Sequence, residues 1–473
     1  MSGTIRTFAF LLLLSLTALP HLADARPQGL YTLEKALQHS NWRHRLHAIE
    51  QLAQRGDRGA RIMLRGLSDQ AWQVRRKTGE LFAAMGRRAQ PFLCQALTHT
   101  SPRARLQAAE GLSNAGKPTK KTLRALKRAF KDREPGVRMA VMKVIKQYTP
   151  QTFLPLLPTC LEDKYWLARA RCADAIGAYK RRAAALIPHL IRQSRHNKEH
   201  IRFSVLRALG AIASQPKRSL PALIVGLADT QWRVRWAAAT GIGVFRKKAR
   251  RAVRPLLRAF RDAKRKIRGP AAISLGQIGR RATRALPFII APLQKDKTMA
   301  HISSKLSSSF QRAMLAFQLR PKEKHLLYLF SLTRAVAEYG KLAVPLLRKR
   351  TFRGKGMPRM WLLFCLGRIG PAARRATPQV RRLLTHPKQE VRWIASLVLA
   401  RIAPRKQSTI RALKRLKADK SEWVQAAAKQ ALFHAELPYA NPKVKRLPQA
   451  EQAAAQFLYV MRSKDTSPTL LWQ

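Results

Sequence analysis

The chain has 473 residues, with 93 Lys plus Arg against 24 Asp plus Glu, a formal net charge of +69. Hydrophobic residues make up 46% of it, enough to build a core, which excludes a disordered polycation. A compact sphere so charged would repel itself, so the composition points to an elongated array and an anionic partner: nucleic acid, anionic lipid, a cell-wall polyanion or an acidic protein, with adaptation of the whole compartment as the alternative.

In chain order, residues 1–25 read as a cleavable signal peptide. Arg6 supplies the positive start, and Phe8 to Leu19 is an apolar run of 12 residues, too short to span a bilayer. Ala23-Asp24-Ala25 fits the small-x-small cleavage rule, so cleavage between Ala25 and Arg26 is expected, with a secreted or periplasmic product. No later segment is apolar for long enough to be a membrane span. The four cysteines, Cys94, Cys160, Cys172 and Cys365, match no zinc spacing. Cys160 and Cys172 are the one close pair; export would permit a disulfide, and burial as small apolar residues is the commoner fate.

From about residue 26 to 437 the sequence repeats itself. Asp69-Gln-Ala-Trp-Gln-Val-Arg75 is echoed by Asp132-Arg-Glu-Pro-Gly-Val-Arg138, then by Asp163 to Arg169, Asp229 to Arg235 and Asp262 to Arg268. With the Arg as marker, slots fall at Arg45, Arg75, Arg105, Arg138, Arg169, Arg202, Arg235, Arg268, Arg359 and Arg392, most of them 30 to 33 residues apart. Degenerate slots near His301 and Leu329 and a last one at Gln425 make thirteen. Each slot is followed by an apolar helix, a short basic loop, often a Pro, and a second apolar helix. The Asp six residues before the Arg is expected to cap the helix that follows, and the Arg to reach the Asp of a neighbouring repeat. Gly56, Gly86, Gly116, Gly279, Gly340 and Gly370 each fall 11 residues after a slot, where the helix must stop. Pro91, Pro155, Pro188, Pro221, Pro255, Pro287, Pro345 and Pro378 suit the first turn of the next helix. Neither helix of a pair can bury its apolar face alone, so the repeats must stack. The expected fold is all-α: a right-handed α-solenoid of about 13 helix pairs, without β-sheet.

Two stretches depart from the period. Residues 297–324 are Ser-rich, with Ser303, Ser304, Ser307, Ser308 and Ser309, and read as a loosened repeat or a bend. Residues 438–473 form a Pro-punctuated tail with a short helix, Gln449 to Met461, suited to capping the array.

The pattern Asp-x-x-x-x-Val-Arg-x-x-Ala-x-x-x-Leu-Gly-x-Ile-Gly followed by Pro-x-Leu resembles the HEAT-like repeats of the phycobilisome-lyase type. It is clearest from Arg268 to Pro287 and from Arg359 to Pro378. That repeat class includes bilin lyases, deoxyhypusine hydroxylase and many scaffolds, so the resemblance implies a fold and leaves the chemistry open. The His-Glu dipeptides that the hydroxylase iron site needs are absent here. So are a His-Glu-x-x-His helix, a phosphate-binding Gly loop and a Gly-x-Ser-x-Gly elbow. His44, His47 and Glu50 share one helix and could hold a metal weakly, although a solvated polar face accounts for them as well. No catalytic residue, metal or cofactor is implied.

Two stripes remain. The basic loops carry Arg87-Arg88, Lys180-Arg181-Arg182, Lys217-Arg218, Lys247-Lys248 with Arg250-Arg251, Arg280-Arg281 with Arg284, and Arg374-Arg375. Stacked repeats would align them into a cationic ridge. Complementing helix C-terminal dipoles explains one such charge per loop more easily than four. Trp42, Trp72, Trp166 and Trp232 each lie three residues before a slot, and Trp236 and Trp393 one residue after. They could stack on a ligand, or plug the gaps between repeats, which is the commoner use of such a bulky side chain. The leading reading is an exported, non-enzymatic scaffold that binds an anionic macromolecule or acidic protein through the ridge. A nucleic-acid-binding solenoid and a divergent enzyme of the lyase or oxidoreductase kind are the alternatives.

Overall fold

The computed structural model describes residues 29–146, 150–295, 324–351 and 358–436. The leader with its Ala25/Arg26 junction, the Ser-rich residues, the His301 slot and the tail from 438 all lie outside these. The described residues contain helices and turns and no strand, an all-α solenoid of helix pairs. No helix among them is long and apolar enough to cross a membrane. The chain divides into two compact units, one running to Pro155 and one starting at Leu156.

The first unit contains α1 (Leu30–Ala36), α2 (Trp42–Ala53), α3 (Gly56–Met63), α4 (Trp72–Ala84), α5 (Gln90–Ala96), α6 (Pro102–Leu112), α7 (Lys120–Ala129), α8 (Pro135–Ile145) and α9 (Pro150–Phe153). Its slot helices pack in a row, α2 on α4, α4 on α6, α6 on α8. The second unit opens with α10 (Leu157–Cys160), α11 (Trp166–Ala178), α12 (Ile187–Gln193), α13 (Glu199–Ile212), α14 (Pro216–Gly226), α15 (Trp232–Gly243), α16 (Val253–Ala259), α17 (Arg265–Ile278) and α18 (Leu286–Lys295). It continues with α19 (Lys324–Glu338), α20 (Val344–Thr351), α21 (Pro358–Ile369), α22 (Thr377–Arg382), α23 (Gln389–Ile402), α24 (Gln407–Arg415) and α25 (Glu422–Glu436). Here the slot helices α11, α13, α15, α17, α19, α21, α23 and α25 pack each on the next.

Helix α17 packs directly on α19: Tyr339 donates to the carbonyl of Ala282 at 2.9 Å, and Arg350 to Gln294. The row therefore passes straight from the Arg268 slot to the Leu329 slot.

The period has a stereochemical cause at each end of the slot helix. At its start the capping residue, for example Gln231 or Lys264, is extended (φ −87° and −82°). The Asp is not itself the cap. It sits two residues earlier and accepts the cap's backbone N–H, as Asp229 does from Gln231 at 2.9 Å and Asp262 from Lys264 at 2.8 Å. This is an Asx turn, which leaves the rest of the carboxylate for another partner. At its end, the residue 11 after the slot turns left-handed. The six glycines singled out above all have positive φ, and Lys180, Ala213 and Arg246 take the same place with φ of 50°, 50° and 49°. Glycine accepts that backbone at no steric cost, whereas a Cβ does not.

Two of the proline assignments need adjustment: Pro155, which lies in the 3₁₀ turn Leu154–Leu156, and Pro221. Pro188 and Pro378 do sit in the first turn of their helices. Pro221 lies inside α14, because Ala213 and Gln215 both turn left-handed and the helix already starts at Pro216.

The core is aliphatic and tightly apposed. Ile201, Val205 and Leu209 of α13 and Val234, Ala238 and Ile242 of α15 are all buried. Gly210 lies so near Gly241 that a Cβ on it would stand 2.6 Å from the Gly241 Cα, so glycine sets how closely α13 and α15 approach. Cys160 and Cys172 form a disulfide with Cα atoms 5.9 Å apart, tying α10 to α11. Cys94 and Cys365 are buried free thiols.

Two outcomes test this architecture. Leu256, fully buried on α16, should not tolerate Leu256→Asp: an unpaired charge there costs several kcal/mol, and hydrogen exchange should accelerate first within residues 229–290. Ala213→Gly should stabilise by roughly 0.5–1 kcal/mol and Gly279→Ala destabilise by about 1 kcal/mol, read from denaturant midpoints.

Candidate functional site

The two loop edges of the repeats do different work. On the slot edge, Asp and Arg form the joints between repeats. The Arg of one repeat donates Nε and Nη2 to both oxygens of the Asp in the next: Arg45 to Asp69 (2.7 and 2.8 Å), Arg105 to Asp132 (2.7 and 3.0 Å), Arg202 to Asp229 (2.7 and 2.9 Å), Arg235 to Asp262 (2.7 and 3.1 Å) and Arg392 to Asp419 (2.8 and 2.7 Å). The Nη1 of the same Arg closes its own loop, as Arg235 does on the carbonyls of Asp229 and Thr230 at 2.8 Å each. One side chain thus spans two loops, as the spacing led us to expect for neighbouring repeats. Burial pushes Asp229 up, but the hydrogen bonds from Arg202 and the Gln231 N–H and the charges of Arg202 and Arg235 outweigh it and hold it below the usual 3.8. The Arg202 and Arg392 pairs are mostly buried, so removing one partner would strand the charge of the other.

In four slot loops histidine replaces the Asp. Nδ1 of His39, His99, His196 and His386 accepts the backbone N–H two residues on, at 3.0, 2.9, 3.0 and 3.1 Å. The imidazole reproduces the Asx turn and brings no negative charge. The sequence pattern contained this signal, since each His stands six residues before an Arg slot, but the Asp rule hid it.

The opposite edge carries the ridge. Its loops are 3₁₀ segments: Gly86–Ala89, Lys180–Leu186, Arg246–Ala252, Gly279–Ala285, Gly340–Leu342 and Gly370–Ala376. With three residues per turn, every third side chain faces the core. Ala249 and Ala252, Ala282 and Ala285, and Ala373 and Ala376 are those buried residues. The residues between them point outward, so Lys247, Lys248, Arg250, Arg251, Arg280, Arg281, Arg374 and Arg375 are all exposed. Read as plain loops, these segments concealed the three-residue rule that spaces their cations in pairs.

Within the second unit these segments adjoin. Residues 246–252 pack on 279–285, those on 340–342, and those on 370–376. Residues 180–186 join the row through Gln215, whose side chain donates to the carbonyl of Ala184 at 3.2 Å, and α14, opening with exposed Lys217 and Arg218, packs on 246–252. No carboxylate among the described residues pairs with Lys180, Arg181, Arg182 or the eight cations above. In the first unit Arg87 is exposed, while Arg88 meets Asp57 at 3.1 Å in a solvent-screened pair.

The four early tryptophans open their helices on the slot edge. Trp72 is 57% exposed and the others are partly exposed, so none is a buried plug. Arg43 lies 5.0 Å over Trp42, Lys266 4.9 Å over Trp232, and His200 5.2 Å from Trp166. Trp393, one residue after its slot, is buried as a packing residue would be. The ridge cations and the tryptophans therefore occupy different edges. The His44, His47 and Glu50 set is otherwise engaged: Glu50 pairs with Lys77 at 3.0 Å and His44 stacks on His39 at 4.2 Å. No group of three or more metal-capable side chains occurs among the described residues.

HEAT repeats match residues 62–146, 90–177, 220–299 and 355–432, together more than half of the chain. The chain belongs to the HEAT-repeat family. No curated protein sequence matches it. Among solved structures it is similar to YibA of Escherichia coli, with 18% identity, a TM-score of 0.40, and coverage of 62% of this chain and 95% of that one. It is also similar to importin beta, with 11% identity, a TM-score of 0.45, and coverage of 86% and 67%.

The His196 joint gives the fold an acid limb. Burial first, then Arg169, Arg202 and Lys198, hold His196 below its ordinary 6.5, so the folded chain favours the neutral ring. That contribution is present above pH 6.5 and is lost as pH falls through the depressed folded value. Stability of the second unit should therefore drop in mild acid, and His196→Asn, which keeps an acceptor for the Lys198 N–H, should shrink that drop in unfolding midpoints measured from pH 7.5 to 5.

Proposed function

We propose that this HEAT-repeat protein is an exported, non-enzymatic scaffold that binds an anionic macromolecule along its 3₁₀ edge. The observation that carries the reading is the row of segments 180–186, 246–252, 279–285, 340–342 and 370–376, whose outward cations have no carboxylate of their own. Helix dipoles account for one cation at each helix end, not for five between Arg246 and Arg251. A row of unpaired cations gains affinity from the counterions a polyanion releases, so binding should weaken steeply with salt. On the slot edge, by contrast, five of the arginines are spent on aspartates. The Cys160–Cys172 disulfide supports an oxidising, exported setting. The resemblance to lyase-type repeats enters as architecture alone.

The test uses the full chain against duplex DNA, lipopolysaccharide and an acidic protein at several salt concentrations. Lys247→Glu, Lys248→Glu, Arg250→Glu and Arg251→Glu combined should remove most of the affinity and leave the unfolding midpoint close to that of the parent, since these side chains touch no core. Arg235→Ala is the converse control: it should cost about 3 kcal/mol of stability by orphaning Asp262 and leave the salt-dependent affinity in place. Intact binding after the loop reversal, or binding indifferent to salt, would reject the reading.

A further inference from the structure

We infer that the Arg75–His99 and Arg169–His196 joints are binding sites for a carboxylate supplied by a ligand, which completes there the ion pair that Asp completes elsewhere.

The argument rests on equivalence between repeats. Arg75 holds the same pose as its counterparts, with Nη1 donating to the carbonyls of Asp69 and Gln70 at 2.6 and 2.8 Å. In Arg45, Arg105, Arg202, Arg235 and Arg392 that pose directs Nε and Nη2 onto a carboxylate. For Arg75 the corresponding residue of the next repeat is His99, and Nε and Nη2 meet no acceptor among the described residues. His99 accepts the Ser101 N–H at Nδ1, so its remaining proton sits on Nε2 and the ring has no acceptor left. The joint thus presents donors only. It is also open: His99 is exposed, and Trp72, on the first turn of the Arg75 helix, is the most exposed of the four early tryptophans.

The second joint shows the same deficit more directly. His196 accepts the Lys198 N–H at Nδ1, which places its proton on Nε2, 3.2 Å from Nη1 of Arg169. Two donors face each other with nothing between them to accept. The other tautomer only moves the conflict to Lys198, because a neutral imidazole offers a single lone pair. Arg169 has meanwhile rotated so that Nε donates to the carbonyl of Asp163, leaving Nη2 without an acceptor among the described residues. A cleft of about 450 Å³ lies in the neighbouring loops, lined by Trp166, Lys198, His200 and Arg202 and also by Glu199; neither Arg169 nor His196 lines it.

The missing group has a defined chemistry. The guanidinium fork matches a planar oxyanion through two parallel N–H bonds, and the five closed joints show that a carboxylate fits the spacing. The site is separate from the 3₁₀ ridge, so it can fail or hold independently of the proposed function.

The test is thermal unfolding of the full chain in sodium acetate against sodium chloride at matched ionic strength, pH 7.5. The parent should gain roughly 2 °C or more in acetate. His99→Asp with His196→Asp should melt higher than the parent in chloride, because each joint is now closed from within, and should lose the acetate increment. His99→Asn with His196→Asn restores the acceptor without the charge and should keep the increment. The ridge reversal of residues 247–251 should also keep it. An Asp variant that retains the increment, an Asn variant that loses it, or a parent that gains nothing overturns the proposal. A larger response to inorganic phosphate than to acetate overturns the carboxylate assignment. An acetylated, amidated Gly-Asp-Gly peptide separates the sources: saturation at tenfold lower concentration than acetate identifies a protein carboxylate, and equal concentrations identify a small acid.

Discussion

The structure depends on one side chain doing two jobs. The slot Arg closes its own loop with one nitrogen and holds the next repeat's Asp with two others, so a local turn and a long-range contact are made by the same rigid fork. The Asp is equally divided, turning the backbone of its own loop while receiving the neighbour's charge. Where both partners are in place, the closed loop and the register of the next repeat are fixed together. This turns a weak sequence period into a rigid helical row. It also explains why most of the few acidic residues lying in the loops between repeats can be taken up by structure, leaving the surplus of cations uncompensated on the other edge.

That division of labour was legible in part. The Arg spacing, the reach of Arg to the neighbouring Asp, and the glycines 11 residues after each slot follow from helix geometry and could be read directly. Gly279 and Gly370 stand where a left-handed residue is required. Lys180, Ala213 and Arg246 were missed at the same place, because a non-glycine there satisfies the position only with strain, and no local composition marks it. The Asp was taken for the cap because the cap and the Asx turn both call for a short acidic side chain within two residues. The contact of α17 with α19 could not be read from the sequence, since spacing carries no information about which helices meet.

The site was legible as charge and not as shape. Basic pairs in the loops were evident, but their outward alternation rests on the buried Ala249, Ala252, Ala282 and Ala285, small residues that carry no signal until the 3₁₀ turn is known. The tryptophans show the converse. Their register was exact in the sequence, yet whether Trp72 would be covered depended on how the neighbouring loop lies, which only tertiary contacts determine.

The alanine pairs beneath the basic edge have a further consequence for how such a surface changes over evolutionary time. The segments at 246–252, 279–285 and 370–376 are each anchored by two alanine methyl groups and by the helices beside them, and the cations between are exposed. Mutations there are nearly neutral for folding, so the pattern of cations can drift, sharpen or reverse sign without any compensating substitution in the core. The slot edge has less freedom, since removing a paired Asp or Arg breaks a turn and a joint together. One face of the repeat is therefore constrained as architecture, while the other is available as a writable strip, and descendants of the same array can acquire new partners by altering that strip alone.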